Sequence, residues 1–303
     1  MSPSFSEALR QESILLEGFG VLLEATPAEG GRLVRLEAAG RSWLWSNPWL
    51  QPPFSVHQPG AYVSHHDDGG WDEIFPNLAA HQASEDLPWP DHGELWGRAW
   101  EVLEVSAVRF DLAVTSRLLP LRFHRTVQLL APGKIHMAYR LTNLSDRAVP
   151  FTWAAHPLFS VADGARIVTT APLAWWPESP ENPVPAALHE GRMPDLGAGI
   201  ACKAFAPSPP DGAVGLVDGP HALRLTWDPV LIPHVGVWMN AGGWAGVPGA
   251  SPYHNLALEP CLGPSDSFLR ARELAPEATL LPAGESRSWW LTIDFPDPSE
   301  LPG

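Results

Sequence analysis

The chain has 303 residues, of which 45% are hydrophobic, with 15 Trp and 11 Phe. That is enough apolar area for a large core and excludes a disordered chain. Its formal charge of −15 excludes nucleic acid, an anionic membrane face and other polyanions as partners, and suits a neutral or cationic small ligand.

The first stretch, Met1 to Gln11, carries Glu7 and no apolar run of signal-peptide length, and no segment reaches about 18 consecutive apolar residues. The expectation is a cytoplasmic protein with no membrane partner. Cys202 and Cys261 are too few for a disulfide framework and read as reduced thiols.

The best short helix candidate is Ser6–Gln11, and no segment holds a helical period over 12 residues. The 34 Pro and 26 Gly punctuate the chain at short intervals. Between them the pattern predicts strands at Leu33–Glu37, Ser42–Trp45, Val108–Thr115, Leu121–Leu130 and Lys134–Thr142, the last two joined by the hairpin signal Ala131-Pro132-Gly133. Further strands are expected at Val149–Ala154, Ala165–Thr170, Ala213–Val217, Ala222–Trp227, His234–Trp238, Asn255–Glu259 and Ser286–Phe295. Pro172–Pro194, with six prolines, reads as a surface excursion bordering a cleft or as a plain loop. Many close-spaced strands without intervening helices predict an all-β antiparallel sandwich.

Four islands concentrate chemistry. The first runs from Ser64 to Asn77 and includes His65-His66-Asp67-Asp68-Gly69-Gly70-Trp71-Asp72-Glu73. It reads as a metal site, a solvated acidic loop, or a polar wall for a hydroxyl-rich ligand; adjacent histidines pointing to opposite faces weigh against metal. From its place between the Gly pair and Phe75-Pro76, Asp72 is expected to line a cleft with His92 and contact hydroxyls. The second island runs from Asp91 to Trp100 and opens Asp91-His92-Gly93-Glu94, where Gly93 allows close backbone approach or a positive φ beside His92; a structural histidine is the other reading. The third, Trp153 to Phe159, presents His156 at the end of an apolar run, held extended by Pro157; it is either a satisfied buried histidine or a titratable site group. The fourth, Asn255 to Pro264, ends an apolar run on Glu259, again followed by proline, where a carboxylate is a fault in the pattern or a site residue. Trp238 precedes the Glu259 strand and is expected to lie near it; Trp71, Trp96 and Trp244 are the other candidates for a flat apolar face against a ligand, with core packing the alternative for each.

In order and approximate spacing, these islands resemble the aldose 1-epimerase (galactose mutarotase-like) family. Gly69 to Asn77 resembles its early Gly/Phe-Pro segment, Asp91-His92-Gly93 its His-Gly motif, His156-Pro157-Leu158-Phe159 its His-Pro-Tyr-Phe motif, and Leu258-Glu259-Pro260 its Glu-Pro strand. Leu158 departs from the family's Tyr, and Glu94-Leu95-Trp96 from its Phe-Ala-Arg. The resemblance covers nearly the whole chain. It implies a single domain over 1–303, a large antiparallel β supersandwich, no cofactor and no metal. By the same resemblance Glu259 is the general base, His156 the general acid and His92 a sugar-holding histidine, with a free sugar as partner. The family's mid-chain aspartate falls on Asp195, Asp211, Asp218 or Asp228. A base that takes the proton of the C1 hydroxyl and an acid that protonates the ring oxygen suffice to open a hemiacetal, and an ionised carboxylate with a protonated imidazole suits that step near neutrality. A hexose-6-phosphate 1-epimerase, for which Arg98 is the only basic residue within the islands, and a non-catalytic sugar-binding module are the alternatives on this fold, with a lyase or hydrolase behind them.

Overall fold

A computed structural model describes residues 13–48, 62, 69–84, 87–245 and 251–302. Among these the protein is all-β, with two short α-helices, Ala186–His189 and Phe268–Leu274. The helix expected at Ser6–Gln11 lies outside the described residues.

Two large antiparallel sheets, of eight and ten strands among the described residues, enclose the core. The eight-stranded sheet shows the expected alternation most clearly. In Leu121–Ala131, the side chains of Leu121, Phe123, Val127 and Leu129 are buried, while Arg122, His124, Thr126 and Gln128 face outward. Its hairpin partner, Lys134–Asn143, buries Ile135, Met137, Tyr139 and Leu141 in the same rhythm. One face is core and the other is wet, so the period of two is legible in the sequence.

The ten-stranded sheet carries the site on five adjacent strands: β1 (Trp71–Ile74), β2 (Ala154–Ser160), β3 (Ile200–Pro207), β4 (His234–Ala241) and β5 (His254–Cys261). They lie side by side in the order β1, β2, β5, β4, β3. Strands β1, β2 and β5 are buried on both faces, one against the core and the other beneath a cavity. That erases the alternation, and it is why β1 and β2 were not expected as strands; β3 was not expected either. The strand expected at Val149–Ala154 is instead a two-residue pairing of Val149–Pro150 with Leu280–Leu281, and Ala154 opens β2.

Adjacent residues of the first island go to different layers. Glu73 points into the sandwich core, where Arg125 Nη1 (3.1 Å), Tyr139 Oη (3.0 Å) and Trp153 Nε1 (2.8 Å) all donate to its carboxylate. Burial pushes this carboxyl pKa up, and the guanidinium and the other two donors pull it part of the way back. Asp72, one residue earlier, takes the opposite face.

Candidate functional site

Pairing across the sheet lines up one row of residues on the face away from the core. His156 on β2 is opposite Asp72 on β1. Between β2 and β5 the register runs through Ala154–Cys261 and Leu158–Ala257, which sets His156 opposite Glu259. Glu259 is in turn opposite Gly236 on β4, and Gly236 opposite Phe205 on β3. Residues directly opposite in an antiparallel pair have Cβ atoms about 4.5–5.5 Å apart. Pro157 and Pro260 both fall in the interval where the β2–β5 pairs are interrupted, and each removes an N–H from the seam.

From this row His156 and Glu259 line a cavity of about 360 Å³, within the size range of small-molecule sites. Ile74 and Leu78, packed with Ala154 and Cys261 in one apolar cluster, line it, as do Leu158, Tyr253 and Trp238 from a second cluster with Trp45 and Ala257. Glu259, His156, His92 and Trp238 all line the cavity, so four of the five expected site residues come together. Trp238 stands edge-on to Trp244, with ring centroids 6.4 Å apart, and both reach the cavity. Trp71 and Trp96 are buried and do not line it; Trp96 Nε1 donates to the Gly93 carbonyl at 2.8 Å.

Asp72 is the correction. It is 1% exposed and does not line the cavity; its Oδ1 accepts from Arg32 Nε at 2.9 Å and its Oδ2 from the Tyr62 hydroxyl at 2.9 Å. Tyr62 occupies the cavity wall that Asp72 was expected to form: its ring stacks on His92 (4.0 Å, 11°), and its hydroxyl lies 3.3 Å from His156 Nδ1. The Asp72 carboxylate, paired with Arg32, can only accept, so the Tyr62 proton goes to it and the hydroxyl accepts from His156 Nδ1–H. That tautomer leaves Nε2 as the acceptor nitrogen of the ring.

A tight loop presents His92. The residue has φ +59° and Gly93 φ +69°, and a Cβ at Gly93 would stand 2.0 Å from the Phe75 carbonyl oxygen, so only glycine fits. Asp91 Oδ2 lies 3.0 Å from His92 Nδ1. Burial would lower the His92 pKa, but Asp91 outweighs it and holds it above the ordinary value; burial would raise Asp91, and His92 holds that carboxyl below its ordinary value. His156 goes the other way. Burial, then His92 and Lys203, hold its pKa well below the usual histidine value. These surroundings favour the neutral ring, against the expectation of an imidazole protonated near neutrality.

Lys203, Asp266 and Asn182 also line the cavity and were not anticipated. Lys203 on β3 makes an ion pair with Glu259 Oε2 and lies 3.8 Å from Asp266 Oδ1. Asp266, in the turn after β5, is the carboxylate that lines the cavity beside Glu259 and Asp91. None of Asp195, Asp211, Asp218 and Asp228 lines it; Asp218, for example, is paired with Arg41 at 2.6 Å. Arg98 is paired with Glu94 at 3.0 Å and also lies away from it. The signal that would have found Lys203 is its place in the run Cys202-Lys203-Ala204-Phe205, a lone cation in an apolar strand with the parity of Phe205. His65, His66, Asp67 and Asp68 lie outside the described residues.

The family model for aldose 1-epimerase matches residues 30–190. The chain belongs to the aldose 1-epimerase family. The match includes Asp72, His92 and His156, while Lys203, Trp238 and Glu259 lie beyond it. No curated protein matches the chain. Among solved structures it is similar to a protein of Synechocystis sp. PCC 6803 (18% identity, TM-score 0.72, covering 95% of this chain and 96% of that one). It is also similar to galactose mutarotase-like proteins of Lactobacillus casei ATCC 334 (16%, TM-score 0.65, 94% and 100%) and Clostridium acetobutylicum (12%, TM-score 0.66, 95% and 96%). At these identities the likeness is one of fold. The fold is thus the all-β, galactose mutarotase-like supersandwich.

Proposed function

We propose that this chain is a mutarotase that interconverts the α and β anomers of a free hexose or related aldose, as one catalytic unit and in the cytoplasm. The observation that carries the reading is the register that sets His156 opposite Glu259 on neighbouring strands at the floor of a cavity. In this reading Glu259 takes the proton of the C1 hydroxyl while His156, as imidazolium, gives one to the ring oxygen. The opened chain rotates about C1–C2 and the steps reverse with the protonation states exchanged. Proton transfer alone completes this reaction, so the residues need no cofactor. His92, held on Tyr62 and Asp91, and Trp238 orient the sugar.

A free sugar suits the cavity better than a sugar phosphate. Lys203, the Lys or Arg side chain among the described lining residues, is already engaged by Glu259, and Asp91 and Asp266 add negative charge. A phosphate would need cations that are not already paired.

Polarimetry or NMR of anomer equilibration across common aldoses and their 6-phosphates tests the reading. Glu259→Gln keeps shape and removes the base, and should lower turnover about 10²–10⁴-fold. Full activity in that variant would overturn the mechanism; wild-type binding of sugar without mutarotation would make this a binding module; preference for the phosphate would overturn the substrate assignment.

A further inference from the structure

Glu259 is fully buried, and its two carboxylate oxygens are treated differently. Oε2 is in contact with Lys203 Nζ. Oε1 is buried and, among the described residues, has no hydrogen-bond partner. Buried carboxylate oxygens are rarely left so, and one that is calls for an explanation. Here the strands supply it. Lys203 sits opposite Trp238 on β4, one step along from the row that holds Glu259, so its side chain approaches the carboxylate diagonally. Gly236 clears the way: a Cβ there would lie 3.3 Å from Glu259 Oε2 and 3.1 Å from Phe205 Cε1. The Lys203 side chain is 17% exposed, and Asp266 braces it from the far side at 3.8 Å.

We infer that Lys203 is a positioning residue for Glu259, holding Oε2 so that Oε1 is the oxygen presented to the sugar. The inference rests on the reading of Glu259 as the base. The titratable groups around this pair are His156 from β2, Cys261 from β5, and His92 and Asp266 from the loops that close the cavity. Burial alone would lower the Lys203 pKa, but Glu259 and Asp266 outweigh it and hold it above the usual lysine value, so the ammonium stays charged over the working range. Once Glu259 has taken the sugar's proton, Asp266 still balances the ammonium. The cation is then never left alone between half-reactions.

The test is a set of pH–rate profiles for wild type, Lys203→Arg, Lys203→Gln and Lys203→Met, with thermal unfolding of each variant. Lys203→Met should lower kcat about 10- to 100-fold, the usual scale for a misplaced reacting group, with little change in KM. A carboxylate that loses an adjacent cation is easier to protonate, so the acid limb of the measured profile should move to higher pH. Lys203→Arg should restore both. Lys203→Gln keeps a donor for Oε2 and is the variant to read if Lys203→Met does not fold; it should show the same movement of the acid limb. In a Glu259→Gln background, Lys203→Gln should change neither the residual rate nor its pH dependence. If Glu259→Gln is inactive while both Lys203→Met and Lys203→Gln keep the wild-type kcat and acid limb, this inference fails and the base reading stands. If Glu259→Gln is fully active, the base reading fails first.

Discussion

Replacing Glu73 with Gln perturbs the core directly behind the site. Arg125 is fully buried, donates to the Gly31 carbonyl as well as to Glu73, and lies 5.1 Å from the Trp100 ring centre. It can neither leave nor lose its proton, so the variant buries an uncompensated guanidinium. Gln also has one acceptor oxygen where the carboxylate has two, and these serve Tyr139 and Arg125 at Oε1 and Trp153 at Oε2. At least one buried donor therefore loses its partner. Removing one member of a buried pair typically costs about 3–5 kcal/mol. At roughly 2–4 °C per kcal/mol for a chain of this size, Tm should fall by something like 10 °C. Chemical denaturation followed by Trp fluorescence reads the loss directly, and KM for the best sugar should not change, because Glu73 faces away from the cavity. A loss below about 1 kcal/mol, the level of a surface ion pair, would refute the description of this pair as dry and tightly engaged.

Two further outcomes are expected. His156 has a folded-state pKa well below its ordinary value, and the proposed acid is its imidazolium. The sign follows: protonation is lost as pH rises through that depressed value, so kcat/KM should fall on the alkaline side with an apparent pKa below 6.5, and a rate that stays flat from pH 5 to 8 would rule this out. Gly236→Ala adds a methyl group 3.3 Å from Glu259 Oε2 and 3.4 Å from its Cβ, so kcat should drop roughly 10-fold while thermal unfolding changes little; unaltered kinetics would show that the carboxylate has slack.

The sequence by itself determined the all-β class, because close-spaced Pro and Gly and short alternating runs leave no room for long helices. It also singled out Glu259, His156 and His92, because a titratable residue stands out at the end of an apolar run or beside a glycine that permits close approach. Trp238 followed from its nearness to the Glu259 strand. It could not deliver β1 and β2, whose two buried faces destroy the period of two from which strands are read. Nor could it separate Asp72 from Glu73, since parity along a strand says that neighbours diverge but not which face meets the core. Pairing decided that: β1 against β2 turned Asp72 onto Arg32 and Tyr62 and sent Glu73 to Arg125. Lys203 is the clearest case. It lies 56 residues from Glu259, in a strand with no motif, and only the passage of β4 between β3 and β5, with glycine at the crossing point, brings its ammonium onto the carboxylate. Contacts of that kind depend on strand order, which local composition does not encode.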